Sequence, residues 1–177
     1  MGVAARLVLG LIGVVAAALG LSTGCGYGIV GVGGQLPGGI SRVEVPIFEN
    51  RTTRSDVGRV LAEDFISKLL ASGKVGVTGG AEAQAVVRGV VTVYRLQPIT
   101  FDAKEKPLTN RLTVVLDVSL VPRDAKRVLF AEKGVTIRYD YPLSSDMEEN
   151  DRLEDEALRR ASELMSQKLV GVMLEGF

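Results

Sequence analysis

Arg111-Leu112-Thr113-Val114-Val115-Leu116-Asp117-Val118-Ser119-Leu120-Val121 alternates in side-chain character almost without a break. Leu112, Val114, Leu116, Val118 and Leu120 share one parity, while Arg111, Thr113, Asp117 and Ser119 share the other. A period of two with one apolar side predicts a strand that buries one face and leaves the other polar. Upstream, Ala85 to Phe101 is β-rich, with Val86, Val90, Tyr94 and Leu96 on one side and Val87, Val91 and Val93 on the other. Both sides are apolar, which predicts a central strand covered on both faces. Downstream, Pro122-Arg123-Asp124-Ala125-Lys126 is turn chemistry. A further strand from about Val128 to Tyr141 then sets Val135, Ile137, Tyr139 and Tyr141 on one side. Short connections make these three strands an antiparallel meander.

Before the meander, Val43, Val45 and Ile47 alternate with Arg42, Glu44 and Pro46, a half-buried first strand from Ser41. Pro46 cannot donate to a ladder and predicts an edge or a bulge. The polar loop Phe48–Thr53 leads to Ser55 or Asp56 as the cap of a helix. Val57, Leu61, Phe65 and Leu69, joined by Val60, Ile66 and Leu70, form its apolar stripe, and Gly73 ends it. After Pro142, Ser145 and Glu148 have the spacing of a capping box. The helix that follows carries Leu153, Ala157, Leu158, Ala161, Leu164, Met165, Leu169 and Val172 as its stripe, to about Leu174. The order is β-α-β-β-β-α. Two stripes need burial and one sheet face is available, so the expected fold is α+β: a two-layer sandwich, its four-stranded, largely antiparallel sheet bearing two helices on one face.

Composition narrows the function. The 21 basic and 21 acidic residues cancel, which removes any bulk attraction to nucleic acid. Histidine and tryptophan are both absent, so the commonest general base and zinc ligand are missing and no catalytic or metal residue is assigned. Neither S-x-x-K nor G-x-S-x-G occurs after the leader, which argues against a serine hydrolase. Asp151, Glu154 and Asp155 read as solvating charges on a helix face rather than as a metal site. No cofactor is expected.

The amino-terminal segment has a basic start at Arg6 and then an uncharged stretch from Leu7 to Leu21, 15 residues long. As a helix that is roughly 22 Å against about 30 Å of bilayer hydrocarbon, too short for a comfortable span and suited to a secretory leader. Leu21-Ser22-Thr23-Gly24-Cys25 resembles a bacterial lipobox, with Ser22 where leucine is usual. Cys25 is the single cysteine; an internal disulfide is excluded, and acylation of this thiol is the expected use. Two or more acyl chains give stable anchoring at about 0.8 kcal/mol per buried methylene. Gly26-Tyr27-Gly28-Ile29-Val30-Gly31 spells G-x-G-x-x-G, yet it precedes the first strand instead of following one, so it reads as a flexible tether. The expected organisation is a signal peptide over 1–24, a lipidated Gly-rich tether over 25–40, and one domain over 41–177.

Cys25-Gly26-Tyr27-Gly28 after a leader, Val45-Pro46-Ile47-Phe48-Glu49-Asn50-Arg51-Thr52 before the first helix, the element order and the terminal amphipathic helix together resemble the LptE family of lipopolysaccharide-assembly lipoproteins. Its most specific part is V-P-x-F-x-N-x-T. The resemblance implies a non-catalytic outer-membrane lipoprotein that sits inside the LptD β-barrel, supports the folding of that barrel and helps deliver lipopolysaccharide to the outer leaflet. It also implies lipopolysaccharide contacts at Lys104, Lys106 and Arg111, where cations would attract the phosphates. A barrel lumen is polar, so the face bearing Arg111, Thr113, Asp117 and Ser119 is the candidate barrel-facing surface. The alternative is a free-standing lipoprotein that binds a lipid or cell-wall fragment in its own pocket.

Overall fold

The computed structural model describes residues 36–124 and 127–175, all within a unit spanning Gly33–Phe177. The leader, Cys25 and the tether as far as residue 35 lie outside the described residues. A mixed sheet is built from β1 (Arg42–Glu44), β2 (Glu49–Asn50), β3 (Gly76–Val77), β4 (Ala85–Phe101), β5 (Pro107–Pro122) and β6 (Phe130–Pro142). Helix α1 (Val57–Ala71) follows β2, and α2 (Met147–Glu175) follows β6. The strand order is β3-β1-β4-β5-β6, with β2 also beside β4. The long strands pair antiparallel, as the meander requires, whereas β1 and β2 run parallel to β4.

The register explains the core. Leu112, Val114, Leu116, Val118 and Leu120 are all buried, opposite Leu96, Tyr94, Val91, Gly89 and Val87. Val135, Ile137, Tyr139 and Tyr141 continue that face on β6. Strand β4 does not hold one parity, because a bulge between Val91 and Val93 shifts the ladder by one residue. Val87 and Val91 before it and Tyr94 and Leu96 after it therefore face the helices, while Val86, Val90 and Val93 take the other side. Tyr94 and Leu96 share a parity with Val86 and Val90 yet face the helices because the strand changes phase, and Val86, Val90 and Val93 are apolar on the face that no helix covers.

Helix α1 packs on β3 and β4, and α2 packs on α1, β5 and β6. Val57, Leu61, Phe65 and Leu69 are buried as expected, and Gly73, with φ 66°, follows the end of α1. Ala157, Ala161 and Ser162 are buried on α2, where short side chains allow the helices to approach. The Ser162 hydroxyl donates to the Val60 carbonyl at 3.3 Å. Leu70 and Leu164, expected in the stripes, are about half exposed, at the edges of the buried arcs.

Both expected caps differ. The Asp56 carboxylate does not cap α1; it accepts from Arg54 at 2.8 Å, because the ion pair outcompetes a backbone donor. At α2, Asp146 rather than Ser145 accepts from the Glu148 N–H, at 3.0 Å. Ser144 and Asn150 brace that turn: the Ser144 N–H donates to Asn150 Oδ1 at 2.7 Å, and Asn150 Nδ2 donates back to the Ser144 carbonyl at 3.1 Å.

Candidate functional site

The segment from Val45 to Thr52 is organised by two side chains. The first strand stops at Glu44 and resumes at Glu49, with Pro46 in the gap, where it cannot donate to a ladder. Ile47 turns out to solvent at 69% exposure, which ends the expected alternation. Phe48 turns in, is buried, and packs on the Phe65 ring at 6.0 Å between centroids and 54° between planes. Gly89 of β4 leaves the space for it: a methyl there would lie 2.5 Å from Phe48 Cγ. Asn50 then closes the loop on itself. Its Nδ2 donates to the Arg54 carbonyl at 2.6 Å, and its Oδ1 accepts from the Thr52 N–H at 3.0 Å and the Thr52 hydroxyl at 2.7 Å.

This loop delivers Arg54 to α2. Its guanidinium meets Asp56 at 2.8 Å, Glu154 at 2.7 Å and Asp155 at 2.5 Å, and Glu154 also accepts from the Tyr94 hydroxyl at 2.7 Å. Glu154 and Asp155 are thus structural partners and not merely solvating charges. The Arg54 hydrogen bond holds the Asp56 carboxyl below its ordinary range. Burial, then the bond to Glu154, pushes the Tyr94 phenol well above its ordinary value. Sequence reasoning missed this hub; the only signal was one arginine two residues before an acid, with further acids a hundred positions away.

The candidate contact residues fall in two places. Lys104 and Lys106 lie exposed at the β4–β5 turn, where their N–H groups donate to Asp102 Oδ1 at 2.8 and 2.9 Å. Arg111 is five residues beyond Lys106, roughly 17 Å along the strand, and does not join them. It forms a bidentate pair with Asp140 of β6, at 2.7 and 2.8 Å, which lowers the Asp140 pKa. Arg111, Thr113, Asp117 and Ser119 do share one face, the side of the sheet opposite the helices, and all four are half-buried. Asp117 Oδ1 accepts from the Gly134 N–H at 2.8 Å and pins the β6 bulge.

A charged groove of about 370 Å³ runs between the helices, lined by Asp56, Arg59, Glu63, Asp64, Asp155 and Arg159 among others. Among the described residues no cluster has the donors of a metal site, and no helix is long and apolar enough to cross a membrane.

The family model for LptE lipopolysaccharide-assembly proteins matches residues 40–171, from two residues before the first strand to the last turns of α2. The chain belongs to the LptE family. Its expected fold and its non-enzymatic character accord with that membership, and LptE family lipoproteins are outer-membrane proteins that act in lipopolysaccharide assembly. No curated protein matches the sequence. Among solved structures, a protein of Xanthomonas campestris is similar at 16% identity and TM-score 0.54, over 81% of this chain and 87% of that one. Lipoprotein B from Nitrosomonas europaea is similar at 12% and 0.50, over 77% and 85%. A minor lipoprotein from Acinetobacter baumannii is similar at 14% and 0.50, over 76% and 90%. At such identities the likeness is one of fold. Within the LptE frame, Val45–Thr52 has a structural role here, joining the first strand to α1 through Phe48 and Asn50.

Proposed function

We propose that this protein is an outer-membrane lipoprotein, anchored by acyl chains on Cys25, that occupies an LptD-like β-barrel, supports its assembly and assists the passage of lipopolysaccharide to the outer leaflet. Family membership over the whole domain carries the reading. A sheet with one helix-covered face and one open face that carries Arg111, Thr113, Asp117 and Ser119 among its valines suits it, because a domain held inside a polar lumen needs a rigid core and a largely wettable outer surface. The alternative pocket-bearing lipoprotein has less support, since the groove between the helices is lined by charge, where a lipid site would be mostly apolar. Lys104 and Lys106, together on one turn, are the proposed contacts to lipopolysaccharide phosphate; Arg111, expected to join them, is instead occupied by its bidentate pair with Asp140.

Affinity recovery of the tagged full chain from a detergent extract of outer membranes tests the proposal. An outer-membrane barrel should co-purify in near-equal amount, and Cys25→Ser should release the chain from the membrane. Recovery with no barrel overturns the reading. Lys104→Glu with Lys106→Glu should weaken lipopolysaccharide binding and spare barrel association; unchanged lipopolysaccharide binding removes the two lysines from the proposal.

A further inference from the structure

The open side of the sheet carries more arginine than the alternation of β5 foretold. Pairing registers align Arg95 of β4, Thr113 of β5 and Arg138 of β6 in one row across that face, and Arg88 lies beside Ser119 further along. Arg88, Arg95 and Arg138 are exposed, and among the described residues none has an ion-pair partner, in contrast to Arg111. Adjacent strands are about 4.8 Å apart, so the backbones of Arg95 and Arg138 stand about 10 Å from each other, on either side of Thr113. Next to this row lies a band of half-buried valines: Val86, Val90, Val93, Val115 and Val121.

The opposite layer differs in charge. Helix α2 holds eight acidic and four basic residues in a chain whose total charge is zero. The helix layer is therefore net acidic, while the open sheet face, whose Glu44, Glu49 and Asp140 are paired with arginines, leaves Arg88, Arg95 and Arg138 without an ion-pair partner among the described residues.

The carboxylates on this face are already engaged, Asp117 by the Gly134 N–H, Glu44 by Arg123 and Glu49 by Arg51, so the valines and the unpaired arginines are what it offers a partner, and arginine beside apolar side chains is enriched at protein interfaces. A single small anion would leave the valines unused. A bilayer surface calls for bulky side chains that insert, and this face offers only valine. A second copy docked by the same face would set arginine against arginine. We infer that the open sheet face docks on a protein wall that presents carboxylates opposite Arg95 and Arg138, on either side of small apolar side chains. The inference rests on the proposed function, where that wall is the inside of the barrel, and it gives the wall a chemistry.

The test uses the full-length, lipidated, tagged chain in four forms: wild type, Arg95→Glu with Arg138→Glu, Arg95→Lys with Arg138→Lys, and a helix-side control, Arg159→Glu with Arg160→Glu. Barrel recovery is quantified by mass spectrometry at low and high salt. The sheet-side reversal should lower recovery about tenfold or more, as expected when attraction becomes repulsion at two sites. The lysine form and the helix-side control should stay near wild type, and wild-type recovery should fall as salt rises. A benzophenone amino acid at position 113 should cross-link to the barrel, at a segment containing Asp or Glu. Equal barrel recovery by wild type and the sheet-side reversal overturns this inference alone, as does cross-linking only to lipopolysaccharide or to a second copy. Absence of any barrel with wild type overturns the proposed function and the inference together. Matching circular dichroism of the four forms separates lost docking from lost folding.

Discussion

Replacing Gly89 by alanine should damage the domain through one neighbour, the ring of Phe48. The added methyl would sit 2.5, 2.6 and 2.7 Å from Cγ, Cδ1 and Cδ2 of that ring, distances that van der Waals radii forbid. The ring cannot simply retreat, because it is 3% exposed and packs on Phe65. Overpacking of this kind costs roughly 1–3 kcal/mol. With about 2–4 °C of melting temperature per kcal/mol for a domain of this size, about 2 kcal/mol is a fall of about 4–8 °C. Phe48→Ala alone removes the ring and should cost about 3–5 kcal/mol. In the double variant the methyl enters the space vacated by the ring, so the two costs should fall short of additive by about 1–3 kcal/mol. Urea denaturation followed by circular dichroism, on all four corners of the cycle, measures this. If Gly89→Ala costs the same with and without the ring, the explanation of the Phe48–Gly89 contact is wrong.

Three further outcomes follow from the same region. Gly58→Ala should destabilise α1, although alanine normally favours a helix by about 1 kcal/mol over glycine; its methyl would lie 2.2 Å from the Phe48 carbonyl oxygen, and a stabilised variant in the same urea assay would refute this. Asn50→Asp keeps the acceptor for Thr52 but loses the donor to the Arg54 carbonyl, so a loss of about 1–3 kcal/mol is expected, with earlier proteolysis of the loop as a second readout. Arg54→Met should flatten the acid limb of the stability curve. The folded pKa of Asp56 is depressed below 3.8, so the unfolded chain binds its proton first, and the stability from this pair, present above about pH 4, is lost as pH falls. An unchanged dependence on pH below 4 in thermal melts would remove Asp56 from the account.

The alternation of β5 and the heptad-like stripes of the helices made the layers legible, because each buries one continuous face and local spacing reports that directly. What stayed hidden depended on pairing. The phase change at Val91–Val93 leaves two apolar parities that look the same as a doubly covered strand. The break at Pro46 was expected, but the inward turn of Phe48 was not, since it depends on a glycine 41 positions later. Arg54 finds Glu154 and Asp155 only once α2 is packed, and the Arg95–Thr113–Arg138 row exists only once three strands are in register. Of the candidate contact residues, the shared face of Arg111, Thr113, Asp117 and Ser119 was visible from parity alone, while the Asp140 and Gly134 partners were not.

Strand β4 also gives the molecule a length. Its 17 residues run from Ala85, beside β1 where the described chain enters the sheet, to Phe101 at the turn that bears Lys104 and Lys106. At about 3.3 Å per residue the two ends stand on the order of 50 Å apart, slightly more than the full depth of a bilayer with its headgroups. The turn that bears Lys104 and Lys106 is thus carried, on two bulged but continuously paired strands, to the far end of the domain from the point where the described chain joins the sheet, so a ligand met at that turn is sensed at a distance from the edge formed by β1 and β3.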